Sequence, residues 1–191
     1  MKALILMSGG IDSAVAAYLM LKNKVDLTAI HYDNRPLTDE KPLEKTKKLI
    51  NILEKKFNKK IKLIIKKHGK NQIKLLKKIN HRHLCLLCRR IMYRTAEEVA
   101  KKEKCQYIVT GEILGSVASQ TLENLRVESE AIEMAVLRPL LCYNKDEVIK
   151  IAKEIGTFET SILPGVCCTA VPKHPTTKAN LKIIKEEEAK L

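Results

Sequence analysis

The sequence predicts a single α/β domain, a parallel β-sheet covered by helices on both faces, and three observations predict it. Short apolar runs alternate with stretches of helical periodicity along the 191 residues, the alternation that βαβ units require. The 45% of hydrophobic residues can bury one sizeable core, and the length corresponds to one domain spanning residues 1–191. A glycine pair directly after the first apolar run marks a tight passage from strand into helix.

Taken in order, Lys2 to Met7 is the first strand, ended by Ser8-Gly9-Gly10. Ser13 to Lys22 then sets Ala14, Val15, Ala17, Tyr18 and Leu21 at helical spacing. Val25 to His31 reads as a second strand and Ile61 to Ile65 as a third. Between them Pro42 to Phe57 forms an amphipathic helix on Leu43, Ile50 and Leu53. Lys70 to Ile79 and Cys88 to Lys104 read as helices, with Cys85-Leu86-Leu87-Cys88 in the connection between them. Gln106 to Thr110 is a strand closing at Gly111, and Ala135 to Leu137 is the last strand, stopped by Pro139. Asn144 caps a helix that runs through Ile155 to Gly156. From about residue 160 an extended loop containing Pro164, Pro172 and Pro175 leads to a terminal helix beginning near Thr177. Ligands of such sheets sit beyond the carboxyl ends of the strands, so the loops after the first, second and fourth strands define one candidate edge.

Lys+Arg 36 against Asp+Glu 22 gives a formal charge of +14, which attracts polyanions such as RNA through counterion release. Lysines spread over nearly every predicted helix fit a solvated face equally well. No apolar run reaches the 18 residues of a membrane span and no signal-peptide cleavage region is present, so a cytoplasmic, membrane-free protein is expected. Reduced thiols follow from that compartment. Cys85-x-x-Cys88 and the Cys167-Cys168 pair then suggest metal or sulfur chemistry, whereas Cys105 and Cys142 stand alone in apolar surroundings as packing residues.

A turn made of Ser8, Gly9 and Gly10 lets backbone amides approach an anion, and the helix that follows aims its positive end at the same point. Asp12, expected to be buried in an otherwise neutral loop, suits a Mg²⁺ ion held against phosphate, and Ser8 and Ser13 offer hydroxyls. The Lys-Ser/Thr ending of a Walker loop and a Gly-x-Gly-x-x-Gly fingerprint are both absent. Ser8-Gly9-Gly10-Ile11-Asp12-Ser13 resembles the signature of the PP-loop ATP pyrophosphatase superfamily, which implies a Rossmann-like domain that cleaves ATP between the α and β phosphates and transfers AMP to an oxygen.

The stretch from Thr110 to Leu122, with Leu137-Arg138-Pro139-Leu140 and Pro175-Thr176-Thr177-Lys178-Ala179, is similar to the catalytic domain of tRNA 4-thiouridine synthetases (tRNA sulfurtransferases). That resemblance implies that Leu6, Met7, His31 and Tyr32 surround the adenosine of ATP, with Arg89, Gly111 and Gln120 nearby, and that Lys145 stabilises charge on the phosphates. Lys145 stands in a helix's first turn, where it opposes the dipole, a placement that a ligand would explain. Cys168 matches the reactive cysteine of the family, seven residues before Pro175.

Uridine O4 leaves poorly, and adenylation converts it into a group that departs as AMP once a sulfur nucleophile is close. Cationic surroundings would favour the thiolate. Two thiolates at the Cys85-x-x-Cys88 spacing grip one metal centre, and Cys168 would make three, leaving one iron of a [4Fe-4S] cluster to hold an extra sulfide. A zinc site built from Cys85, Cys88 and His81 or His83 is the competing arrangement, and persulfide chemistry without metal is a third. Cys167 has no assigned role. Full-length relatives in this resemblance begin with a ferredoxin-like segment and a THUMP domain, whereas here the first strand starts at Lys2 and no rhodanese domain follows. The expectation is tRNA received on the basic surface or through a separate THUMP-type docking protein, with sulfur from sulfide or a donor protein and a homodimer as one possible assembly. Adenylation of a small carbonyl compound, or a non-catalytic nucleotide- or cluster-binding role, are the alternatives.

Overall fold

The computed structural model describes residues 1–165 and 168–191. Its strands are β1 (Lys2–Leu6), β2 (Asp26–Asp33), β3 (Lys62–Lys67), β4 (Tyr107–Val109) and β5 (Val136–Leu137). They form one sheet in the order β3-β2-β1-β4-β5, and every neighbouring pair is parallel. The helices are α1 (Ile11–Lys22), α2 (Lys41–Phe57), α3 (Gly69–Lys78), α4 (Leu84–Lys102), α5 (Leu122–Ser129), α6 (Lys145–Glu154), α7 (Phe158–Ser161) and α8 (Leu181–Glu188).

Both faces of the sheet are covered, as the alternation of apolar elements predicts. Side chains of a strand point alternately up and down, and β1 divides accordingly. Ala3 and Ile5 pack with Ala14, Val15, Leu49, Leu53, Val148 and Ala152 from α1, α2 and α6. Leu4 faces the other way, with Ile30, Ile108 and the α4 residues Ala96, Val99 and Ala100. β2 is buried from Leu27 to Asp33, including the polar Thr28, His31 and Asp33, as a central strand covered on both faces must be. Chain order reverses between β1 and β4, so a crevice opens beyond their carboxyl ends.

Several sequence expectations need correction. The Cys85 and Cys88 positions lie in the first turns of α4 and not in a connecting loop. Asn80 caps a 3₁₀ turn at His81–His83 that runs straight into the helix, and Leu84, Leu86 and Leu87 are buried. On α2 the buried stripe is Thr46, Leu49, Ile50 and Leu53, displaced from the predicted Leu43. Helix α1 begins at Ile11, so Asp12 stands in its first turn, part-exposed, and not in a buried loop. The terminal helix starts at Leu181 because the Asn180 side chain accepts from the Lys182 N–H. Helices α5 and α7 were not read from the sequence. Cys105 packs in the core as expected, but Cys142 is exposed. No helix among the described residues is long and apolar enough to cross a membrane.

Candidate nucleotide and thiol sites

The loop from Met7 to Gly10 joins β1 to α1 at the topological switch point. Ser13 Oγ donates to the Gly10 carbonyl at 2.9 Å and accepts from the Ser8 N–H at 3.3 Å, while the Gly10 N–H donates to Ser8 Oγ at 3.3 Å. These bonds brace the loop from within. Gly10 caps α1 without any side-chain bond, so the first N–H groups of the helix are left for an anion. Gly9 has φ +83°, and a Cβ there would come 2.7 Å from the Pro42 carbonyl oxygen. Gly111, at the end of β4, would place a Cβ 2.7 Å from the Asp12 carbonyl oxygen. Alanine at 111 must therefore push β4 away from the first turn of α1, and urea unfolding is expected to show a loss of about 1–3 kcal/mol.

Two adjoining clefts receive most of the residues predicted to bind nucleotide. One is lined by Leu6, Met7, Ser8, His31 and Tyr32 with Asp33, Asn34 and Leu43. The other, of about 310 Å³, is lined by Leu6, Ser8, Asp12, Ser13, Arg89, Tyr93, Gly111, Glu112 and Gln120. Leu6, Ser8 and Met92 belong to both. His31 Nδ1 lies 2.8 Å from the Met7 carbonyl oxygen, which can only accept, so Nδ1 carries the proton and the loop is tied to β2. Burial holds the imidazole below its usual pKa, against the raising influence of Met7 and Asp33. The Tyr32 hydroxyl donates to the Met92 carbonyl oxygen at 2.5 Å, and burial raises its pKa. Gln120 is held in place because its Oε1 accepts from the Ile113 N–H at 3.2 Å.

Lys145, the first residue of α6, reaches across from the other side of the loop. Its Nζ donates to Asp12 Oδ1 at 2.5 Å, with the two side chains 45% and 28% exposed. A capping box formed by Asn144 and Glu147 fixes the helix that carries it. Charge and counter-charge thus meet at the phosphate loop, on side chains that solvent or a ligand can reach.

The floor of the second cleft is a buried charge network. Glu112 Oε1 accepts from Arg89 Nη2 and from the Tyr93 hydroxyl at 2.9 Å, and Oε2 accepts from the Thr110 hydroxyl and from Arg138 Nε at 2.8 Å. Arg89 Nε also lies 3.0 Å from Glu128 Oε2, yet neither Glu128 oxygen has an aligned donor among the described residues. Desolvation therefore outweighs the nearby arginines, and the Glu128 carboxyl is raised to about 7. A carboxyl raised above its unfolded value binds a proton in the native state that the unfolded chain releases, so its contribution to stability falls as pH rises between about 4.5 and 7. Glu128→Gln removes this titration. Its stability relative to the parent chain is expected to improve by roughly 3 kcal/mol across that window, read by urea unfolding at stepped pH. A difference that is flat with pH would contradict the assignment.

The cysteines form a second constellation beside the first. Cys85 and Cys88, three residues apart on α4, share one helix face, and Cys168 comes to them from the segment between α7 and α8. Burial pushes both helix thiols up, Cys88 to about 12, each is raised further by Cys168, and Arg89 opposes the rise. At Cys85 and Cys88 desolvation therefore outweighs the nearby guanidinium of Arg89. Among the described residues no group of three or more His, Cys, Asp or Glu side chains is arranged to hold a single metal ion. His83 Nδ1 is 3.3 Å from the Thr176 hydroxyl. Cys167 lies outside the described residues.

Two residues at this site were not read from the sequence. His68 Nε2 is 3.1 Å from Cys88 Sγ, while Asn71 Nδ2 donates to His68 Nδ1 at 3.3 Å, so Nε2 carries the hydrogen and donates to sulfur. Burial keeps this imidazole neutral, its pKa lowered to about 4. Gln72 Nε2 lies 3.7 Å from Cys88 Sγ and 3.6 Å from Cys168 Sγ. A polar side chain at the buried i+3 position between Gly69 and Leu75 of α3 is the signal that could have drawn attention to Gln72.

Comparison with known proteins places these features in a family. A relative from Acetivibrio thermocellus named as a probable tRNA sulfurtransferase is 44% identical over 192 residues, covering 100% of this chain and 49% of the relative. The chain spans about half the length of the curated relatives it matches. A 4-thiouridine synthetase solved as an RNA complex with bound ATP is 35% identical, with a TM-score of 0.95 over 99% of this chain and 50% of that one. The U34-tRNA thiolase NcsA from Methanococcus maripaludis, solved with its [4Fe-4S] cluster, shares the fold at a TM-score of 0.62 and 20% identity, over 88% of this chain and 60% of that one. The match to the thiamine biosynthesis protein (ThiI) family extends over residues 1–191, and the chain belongs to that family.

Proposed function

We propose that residues 1–191 form the PP-loop ATP pyrophosphatase domain of an ATP-dependent tRNA sulfurtransferase, which adenylates O4 of a uridine and replaces that oxygen with sulfur. The observation that carries the reading is the double use of α4. Its first turns bear Cys85 and Cys88, and the next residues, Arg89, Met92 and Tyr93, wall the clefts at the phosphate loop. One rigid helix thus joins a nucleotide site to a thiol site, as a reaction that activates an oxygen and then delivers sulfur to the same carbon requires. The tRNA sulfurtransferase relatives and the ATP-bound 4-thiouridine synthetase support the same reading.

In the first step uridine O4 attacks the α-phosphorus of ATP, the bond from that phosphorus to the α–β bridging oxygen breaks, and pyrophosphate leaves with the electron pair. In the second step a sulfur nucleophile adds to C4 and AMP departs with the former O4. The phosphate loop and the open N-terminus of α1 hold the phosphates, Leu6, Met7, His31 and Tyr32 enclose the adenosine, and Lys145 offsets the charge developing on pyrophosphate. Asp12, with the Ser8 and Ser13 hydroxyls nearby, is an oxygen donor set suited to Mg²⁺ already bound to phosphates.

The thiol site fits a [4Fe-4S] cluster better than a single ion. Its donors are all soft sulfurs, they come from two separate segments, and N–H groups of His68 and Gln72 point at them. Cys85, Cys88 and Cys168 would hold the cluster, which would present the extra sulfide as the nucleophile when bound. The +14 charge provides the surface for tRNA, alone or beside a THUMP-type docking protein, with sulfide or a donor protein as the sulfur source.

The test is anaerobic purification, iron and acid-labile sulfide analysis, and incubation with ATP, Mg²⁺, sulfide and unthiolated tRNA, with nucleosides read by mass spectrometry. The expected result is an iron-bearing protein that makes 4-thiouridine only when ATP is present. A colourless, zinc-loaded product that forms no thionucleoside, with or without a THUMP-domain protein, would overturn the proposal.

A further inference from the structure

We propose that Gln72 is the positioning residue of the sulfur site, a single buried amide on α3 that donates N–H···S hydrogen bonds to Cys88 and Cys168 and holds these two ligands in register. The inference rests on the cluster reading above and adds a residue to it.

Gln72 is 3% exposed on a helix whose other buried residues are Gly69 and Leu75. Leu75 of the same helix packs in an apolar cluster with Leu84, Leu86, Leu87 and Ala170, and burial alone would be served better by a leucine at position 72. Among the described residues its Oε1 has no donor, an uncompensated cost of keeping an amide there. What the amide does have is two sulfurs, Cys88 Sγ at 3.7 Å and Cys168 Sγ at 3.6 Å, and its NH₂ group carries a hydrogen for each. Cys88 is fixed by its helix, whereas Cys168 lies between α7 and α8, where the described residues form neither helix nor strand. The amide therefore ties the loop-borne sulfur to the helix-borne one. His68 Nε2, donating to Cys88 Sγ at 3.1 Å, supplies a further N–H from one turn earlier in the chain.

Neutral N–H donors to ligand sulfur withdraw negative charge from a cluster. They raise its reduction potential and hold the ligands in place. Gln72→Met keeps the length of the side chain and removes both donors, and Gln72→Glu keeps the shape and sets an acceptor against the sulfurs. Both are prepared anaerobically from the full chain, and their thermal midpoints are checked first. If Gln72→Glu does not fold, Gln72→Met carries the test.

Expected are iron loss to a chelator about 10-fold faster than from the parent chain, and a midpoint potential, followed by electron paramagnetic resonance, that moves negative. A merely structural glutamine would alter melting but not the potential. Variants that keep iron at the parent rate and at the parent potential would overturn the role of Gln72 while leaving the cluster reading intact. A parent chain that takes up no iron or sulfide would overturn both.

Discussion

Replacing Asp12 by asparagine, or Lys145 by methionine, is expected to lower pyrophosphate release from ATP by about 100- to 1,000-fold, the cost of removing one preorganised charge from a transition state. The two side chains meet at 2.5 Å where β1 gives way to α1, and each comes from the first turn of a different helix. Lysine there works against the dipole of α6, so its place is explained by the charge it faces and not by helix stability. Both side chains are part-exposed, at 28% and 45%, and an exposed pair adds only about 0–1 kcal/mol to folding. Activity should therefore collapse while the urea midpoint barely moves. Because the pair acts as a unit, the double variant should be little worse than the worse single variant. Small, additive losses in rate would show that the pair is only a surface ion pair.

The largest loss of stability is expected at Glu112. Its carboxylate is 2% exposed and accepts from Arg89, Arg138, Tyr93 and Thr110. Glu112→Ala strips two guanidinium groups of their counter-charge, and breaking one side of a buried ion pair costs about 3–5 kcal/mol. For a chain of this length that corresponds to a fall of about 10 °C in melting temperature. Neighbouring Glu128 does not replace it, since its oxygens lack aligned donors and its proton is held to about pH 7. The arginines thus remain short of negative charge, and Arg89 leaves its place in the cleft wall. Calorimetry and an ATP-binding measurement on the same variant should show both effects. Loss of ATP binding with unchanged melting would place Glu112 in the ligand and not in the scaffold.

Much of this was legible in the sequence because it depends on local signals. The alternation of apolar runs fixes a parallel sheet whichever way the helices pack, and Ser8-Gly9-Gly10 makes a strand-to-helix turn by conformational freedom alone. Asn144 announces α6 and hence the position of Lys145. What could not be read depends on contacts distant in the chain. The Cys85-x-x-Cys88 motif reads as part of the connection between two helices, yet a 3₁₀ turn capped by Asn80 leads straight into α4, which carries both cysteines. Asp12 was expected to be buried, but the first turn of α1 leaves it part-exposed toward Lys145, 133 residues away. Helix α5 is short and only weakly amphipathic, and it is held by Thr121 as its cap and by Arg90 Nη1 donating to the Val127 carbonyl. Gln72 and His68 acquire meaning only when the β3–α3 corner brings them to Cys88, a juxtaposition that no spacing along the chain encodes.

The central claim is that one reaction couples cleavage of ATP between its α and β phosphates to replacement of oxygen by sulfur. Counting products in a single anaerobic reaction with unthiolated tRNA tests it most directly. The account predicts one pyrophosphate and one AMP for each 4-thiouridine formed, with no ADP. Release of ADP and phosphate, or thiouridine formed without pyrophosphate, would contradict it.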